Sequence, residues 1–212
     1  MSATTYSCRR PFVRDSVPRP EREAFAIPFP RDQGKPIDIE IGCGTGHHSI
    51  VYARHHPERI LIAIEHTHER FGKFKKQADR AGLPNLIPVH ANAISWIAHL
   101  VPAGAVERFF LLYPNPYPKD RQRNKRWHAM PFMSCLLDCL RPGGTVTLAT
   151  NELFYAAEAQ EYMRACWELD CIQYLELQGA RESVAHCRTL FEYKYLARGE
   201  TCYDQVWVKP SV

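Results

Sequence analysis

From residue 37 onward, short apolar runs alternate with longer stretches in which apolar residues recur every three or four positions. The runs at 37–41, 60–65, 86–89, 107–112 and 144–149 have the length of strands. The segments at 46–55, 67–81, 93–100, 127–140 and 152–168 have the spacing of helices. A run such as Leu61-Ile62-Ala63-Ile64 carries no polar position on either face, as expected of a strand covered on both sides. Regular strand–helix alternation predicts an α/β fold with a parallel sheet. Two later runs, 170–177 and 203–208, predict two further strands, the last of them antiparallel. The expected architecture is a mostly parallel seven-stranded sheet, Rossmann-like, with helices on both faces. Residues 1–36 differ, with six prolines and six arginines. Proline density of that kind disfavours helix interiors and central strands. The chain therefore divides into an irregular arm, 1–36, that packs partly on the domain and partly against a partner, and a domain, 37–212.

In an open α/β sheet, ligands bind beyond the carboxyl ends of the strands. The chemistry-bearing residues fall there. Residues 40–46 read Glu-Ile-Gly-Cys-Gly-Thr-Gly, between a strand and a helix. The third glycine of a dinucleotide fingerprint would fall at position 47, which is His47. Gly42, Gly44 and Gly46, with Glu40 two residues before them, instead suit a ligand whose tail carries an amino group. S-adenosyl-L-methionine (SAM) is such a ligand, with Glu40 facing its ammonium. Glu65 ends the second strand, where a carboxylate can accept hydrogen bonds from both ribose hydroxyls. Asn92 follows the third strand and Asn151 the fifth.

The fourth strand leads into Tyr113-Pro114-Asn115-Pro116-Tyr117-Pro118-Lys119. Prolines fix their own φ and restrict the residue before each. The expected result is a stiff loop presenting one amide and two aromatic rings, suited to a flat heterocycle. Lys119, Arg121, Arg123, Lys125 and Arg126 follow against Asp120, where a phosphate backbone could lie.

With these motifs in order, the chain resembles the tRNA (guanine-N7-)-methyltransferases over roughly residues 37 to 208. That family carries E-I-G-x-G-x-G, a strand ending in G-I-E, F-P-D-P-W-x-K with a basic run, A-T-D, and a late T-x-F-E. The chain offers residues 40–46, Ala63-Ile64-Glu65, residues 113–119 with Asn124-Lys125-Arg126, Ala149-Thr150-Asn151 and Thr189-Leu190-Phe191-Glu192. The resemblance implies a class I SAM-dependent N-methyltransferase. It implies Glu40, Gly42, Gly44, Gly46, Glu65, Asn92 and Asn115 as cofactor-binding residues. Asn115 and Asn151 would hold the methyl acceptor in the catalytic site. Lys119, Tyr117, Asn151, Thr189 and Glu192 would bind substrate.

Three departures stand out: Asn92, Asn115 and Asn151 occupy positions where the family has aspartate. A carboxylate can accept both N1–H and N2–H₂ of guanine, whereas an amide offers one acceptor and one donor. Opposing donors could cost about 1–3 kcal/mol. Two acceptors therefore stay open, a purine ring nitrogen in tRNA and a free small nitrogen heterocycle. A third reading is a non-catalytic RNA-binding subunit, against which the intact glycine turn and two acids argue.

Composition is ordinary for a globular chain of 212 residues, 45% hydrophobic and 24% charged, with net charge +4. No apolar run reaches the length of a membrane span, and the polar start lacks a signal peptide's apolar centre. Eight cysteines without a C-x-x-C pair read as reduced core residues, and no metal site is expected. These features point to the cytoplasm. Monomer and homodimer both remain open.

Overall fold

The computed structural model describes residues 11–25, 29–30, 34–180 and 184–211. Among these, seven strands form one sheet: β1 (Ile37–Ile41), β2 (Ile60–Glu65), β3 (Leu86–His90), β4 (Val106–Leu112), β5 (Leu140–Thr150), β6 (Asp170–Leu177) and β7 (Cys202–Val208). Their order is β3-β2-β1-β4-β5-β7-β6. Strands β1 to β5 are parallel, and β7 pairs antiparallel with both β5 and β6. Strand order reverses between β1 and β4, so the crevice expected of such a sheet opens above those two strands.

Helices α2 (His47–His55) and α3 (His68–Ala81) cover one face, with Ala53, Phe74 and Ala78 packed on Leu61, Ala63 and Phe110. Helices α4 (Ala93–Leu100), α5 (Phe132–Cys139) and α6 (Leu153–Ala165) cover the other, around Ile39, Ile62, Phe109 and Trp96. Neighbouring strand residues thus feed opposite cores, as the two-residue side-chain period requires. Asp38 and Glu40 share the parity of the α2–α3 face. Asp38 is fully buried and takes a bidentate pair from Arg59, with both N···O distances 2.6 Å. The Tyr52 hydroxyl also donates to it, at 2.7 Å.

Several elements depart from the expected pattern, among them β5, which starts at Leu140 and not at 144. The helix expected over 127–140 begins only at Phe132, because Pro131 sits at its N-cap and residues Trp127–Ala129 form a 3-10 turn. The last helix expected before β6 ends at Ala165, and Glu168 turns the chain with φ of 55°. Helix α7 (Leu190–Leu196) has no counterpart in the apolar pattern, since Leu190 and Phe191 are exposed at its start.

Residues of the arm lie on α4 and α5. Helix α1 (Arg22–Phe25) brings the Ala24 carbonyl to Trp96 Nε1, 3.2 Å away. His99 Nε2 is 2.8 Å from the Val17 carbonyl, and the Phe12 and Phe132 rings meet edge to face at 5.4 Å. Residues 1–10, 26–28 and 31–33 of the arm lie outside the described residues. Among the described residues, Cys43, Cys135, Cys139, Cys171 and Cys202 are free thiols, but Cys166 is disulfide-bonded, which corrects the expectation of a fully reduced set. No described helix is long and apolar enough to cross a membrane.

Candidate active site

The glycine turn is built around a carboxylate. Glu65 ends β2, 5% exposed, and accepts from Gly44 N–H at 2.9 Å and from Thr67 N–H at 2.7 Å. Each oxygen keeps a second lone pair. Gly42 and Cys43 N–H both reach the Ile64 carbonyl, at 2.8 and 3.1 Å. The turn is therefore pinned to the tip of β2 before any ligand arrives. An added Cβ at Gly42 or Gly44 would meet nothing within 4 Å, so the backbone there borders open space.

Glu40 points from β1 toward α2 and is 3% exposed. Ser49 Oγ donates to its Oε2 at 2.5 Å. His48 Nδ1 lies 3.0 Å from the same oxygen without the alignment of a hydrogen bond. Between Glu40 and Glu65 sits Cys43, whose thiol is pushed up by burial and by both carboxylates, and so stays protonated. A thiol held in that form is a poor nucleophile.

Two hollows meet at Gly42. One, about 360 Å³, is lined by Glu65, Asn92, Ile94, Asn115, Tyr117 and Trp127 among others. That volume lies in the ordinary range of small-molecule sites, roughly 300–1,000 Å³. Apolar walls from Ile64 and Ile94, with a carboxylate at the rim, suit a base and ribose. The second is a narrow cleft between Glu40, the glycines and Thr189, Leu190 and Phe191 of the α7 start. Asn92 caps α4, its Oδ1 accepting from Ile94 and Ser95 N–H at 2.9 and 3.3 Å. Its oxygen is thus engaged locally, and the NH₂ is the arm left for a ligand.

The loop after β4 is held in a strained form. Tyr113 and Tyr117, each preceding a proline, have φ of 52° and 45°. Left-handed backbone is rare for such residues, and a following proline favours extended φ instead. The expected extended pre-proline backbone is therefore absent at both tyrosines. The loop also presents one ring outward, not two. Tyr113 turns inward, donating to Glu192 Oε2 at 3.3 Å, and burial followed by the Glu192 charge pushes its hydroxyl pKa up. Tyr117 stays half-buried, with Lys125 Nζ 5.7 Å above its ring. Asn115 is exposed and accepts from Tyr117 N–H at 3.1 Å.

What holds this strain is Arg126, 3% exposed, which donates twice to the Tyr117 carbonyl at 3.2 and 3.0 Å. Arg126 is anchored in turn on Glu158 at 2.6 Å, as is Arg123 at 2.8 Å and His128 Nε2 at 2.7 Å. Two members of the expected phosphate-facing basic cluster are thus committed to Glu158, and Arg126, whose buried guanidinium requires a partner, also serves the loop. Lys119, Arg121 and Lys125 remain exposed.

The late T-x-F-E also has a local role. Thr189 Oγ1 accepts from Glu192 N–H at 3.0 Å, and Glu192 Oε1 accepts from Arg188 N–H at 3.0 Å. This is a capping box displaced by one residue. Thr189 still lines the cleft beside Glu40, whereas Glu192 is buried behind Tyr113. Asn151 lines neither hollow and donates to Glu200 Oε2 at 2.9 Å. Among the described residues, no three His, Cys, Asp or Glu side chains come together as a metal ion would need.

Residues 34–205 match the sequence family described as "Putative methyltransferase". The chain belongs to this methyltransferase family. Among its relatives, the tRNA (guanine-N(7)-)-methyltransferase of Nitrosomonas eutropha is 31% identical, with 88% of this chain and 86% of that protein aligned. That of Thermotoga maritima is 34% identical over 58% of this chain, but the match spans only 39% of the relative's length. For that of Roseobacter denitrificans the values are 33%, 62% and 56%. Among solved structures, 16S rRNA methyltransferase KamB superposes with a TM-score of 0.63 at 20% identity, over 85% of this chain and 91% of its own. The [4+2]-cyclase SpnF gives 0.59 at 14%, over 84% and 76%. These likenesses show the fold alone, and the cyclase illustrates that the fold does not name the reaction.

For this methyltransferase family member, the residues expected from sequence separate into three groups. Glu40, Gly42, Gly44, Glu65, Asn92, Asn115, Tyr117 and Thr189 border the two joined hollows. Gly46, Glu192 and Asn151 line neither of them, and Lys119 is exposed beyond the loop. Sequence reading missed Ser49 and His48 around Glu40, Trp127 and Met130 as cavity walls, Phe191, Glu158 and Glu200. An S-x-x-x pattern after a glycine turn gives no sign of a carboxylate nine residues back, and Glu158 is one acid among many on a helix.

Proposed function

We propose that the chain is a SAM-dependent N-methyltransferase that methylates a purine ring nitrogen in tRNA, N7 of guanine being the position named in its relatives. The observation that carries this reading is Glu65, a carboxylate at the tip of β2 that borders the hollow shared with Asn92 while tying down the glycine turn. We take residues 37–212 as the catalytic domain and 1–36 as an arm, and assign the protein to the cytoplasm, where its tRNA acceptor would be met.

Bound there, SAM supplies a methyl group on a sulfonium, and in-line displacement by a ring nitrogen leaves S-adenosylhomocysteine. Glu40 faces the ammonium from the floor of the narrow cleft, oriented by Ser49. Glu65 accepts the ribose hydroxyls with its unused lone pairs. The Asn92 NH₂ donates to the adenine ring, because its oxygen caps α4. Asn115 holds the acceptor base, Tyr117 stacks on it, and Thr189 with the buried Glu192 closes the far side. A ring nitrogen carries its own lone pair, so alignment and exclusion of water carry the reaction without a general base. Lys119, Arg121 and Lys125 face the phosphate backbone.

The test is transfer from methyl-labelled SAM to bulk tRNA, run beside a panel of free purines and related heterocycles, with calorimetric titration of S-adenosylhomocysteine. Label in tRNA, with strand scission at the modified guanosine after borohydride and aniline, is expected. Label only in the small-molecule fraction would overturn the tRNA assignment, and no heat with S-adenosylhomocysteine would overturn the cofactor.

A further inference from the structure

The asparagine at position 151 leaves a chemical gap. An edge with two adjacent donors, such as N1–H and N2–H₂ of guanine, calls for a carboxylate, and neither Asn115 nor Asn151 is one. The structure fills that gap from another element. Asn151 stands one residue past the end of β5, and Thr150 pairs with Tyr203 of β7. This register brings the turn between α7 and β7 against the tip of β5. In that turn Gly199 has φ of 76°, and Glu200 N–H closes on the Tyr195 carbonyl at 3.1 Å. Glu200 is thereby aimed back over β5, and Asn151 Nδ2 donates to its Oε2 at 2.9 Å. Its side chain is 36% exposed, and Oε1 lies 3.9 Å from Arg198 Nη1, too far for a strong pair. The Tyr195 and Tyr113 rings stand 5.7 Å apart beside this pair, and Tyr113 opens the acceptor loop itself.

We propose that Glu200 is the specificity-determining carboxylate of the acceptor site, reading a donor–donor ring edge, and that Asn151 is a positioning residue that orients it. The asparagines then do not shift preference away from guanine. The amide at 151 and the carboxylate at 200 form one unit in which the charge has moved across the pair. An aspartate at 151 beside Glu200 would set two carboxylates together, which disfavours charge on both. This inference rests on the tRNA methyltransferase reading above.

The experiment compares wild type, Glu200→Gln, and the exchanged pair Asn151→Asp with Glu200→Gln. Acceptors are a tRNA and the same tRNA with inosine replacing the methylated guanosine. Inosine lacks the N2 amino group, so wild type should favour guanosine by roughly tenfold or more in kcat/KM. Glu200→Gln should lose roughly tenfold on guanosine and much of that preference, with S-adenosylhomocysteine affinity unchanged. The exchanged pair should recover both. Equal wild-type rates on the two tRNAs overturn the assignment without any variant. So does full activity and preference in Glu200→Gln. Wild type that binds S-adenosylhomocysteine yet methylates no tRNA overturns the reading beneath it and this inference together.

Discussion

Gly42, Gly44 and Gly46 all have positive φ, between 61° and 83°, yet a methyl group meets different surroundings at each. At Gly46 a Cβ would lie 2.0 Å from Phe74 Cδ2, inside the α2–α3 core. At Gly42 and Gly44 it would meet nothing within 4 Å. Gly46 is a packing glycine, and the other two keep the floor of the hollow open. Gly46→Ala is expected to destabilise by about 3 kcal/mol or more, the left-handed penalty plus overpacking. Gly44→Ala should cost only about 1–2 kcal/mol but abolish most S-adenosylhomocysteine binding. Urea denaturation with calorimetry separates the two. Equal stability losses would mean that Phe74 moves aside. The sequence placed all three glycines in one motif, and only the neighbour at Gly46 distinguishes them.

The loop after β4 depends on an element far away in sequence. Glu158 of α6 holds Arg126, Arg123 and His128, and Arg126 holds the Tyr117 carbonyl. Burial raises the Glu158 pKa, but the hydrogen bonds from His128 and Arg126 outweigh it and hold it at about 2, below the ordinary 4.5. Its contribution is therefore present above pH 4.5 and lost as pH falls toward 2. His128 works in the same direction. Burial, only partly offset by Glu158, lowers its pKa from 6.5, so below that pH the unfolded chain takes up a proton that the folded one refuses. Stability should decline as pH drops below 6.5 and fall further below 4.5. Glu158→Gln should flatten the lower limb and reduce kcat on tRNA by loosening the loop. Urea midpoints across pH check the first, and an unchanged acid limb would show that Glu158 carries no such linkage. The prolines announced a stiff loop, but the pair of left-handed tyrosines needs the Arg126 anchor, which no local pattern reveals.

For the whole molecule, charge is more dispersed than a count suggests. Five basic residues lie between 119 and 126, yet Arg123 and Arg126 are committed to Glu158. Only Lys119, Arg121 and Lys125 are exposed without a carboxylate pairing in this stretch. Replacing those three with alanine should weaken tRNA binding and lower the slope of log K against log salt by up to about 3. Arg123→Ala should leave that slope nearly unchanged. Filter binding across a salt series measures both, and an equal slope change for Arg123 would assign it to phosphate after all.

The alternation of apolar runs was enough for the α/β architecture, since in runs such as Leu61-Ile62-Ala63 and Phe109-Phe110 successive side chains need cover on opposite faces. The glycine turn, Glu40 and Glu65 were legible too, because contiguous residues set their own geometry at a strand end. Helix α7 was not, being short, half exposed and fixed by the Thr189 cap. The roles of Arg126, Glu158 and Glu200 came only from the tertiary structure. A charge buried far along the chain declares its partner through space, and sequence distance holds no record of that approach.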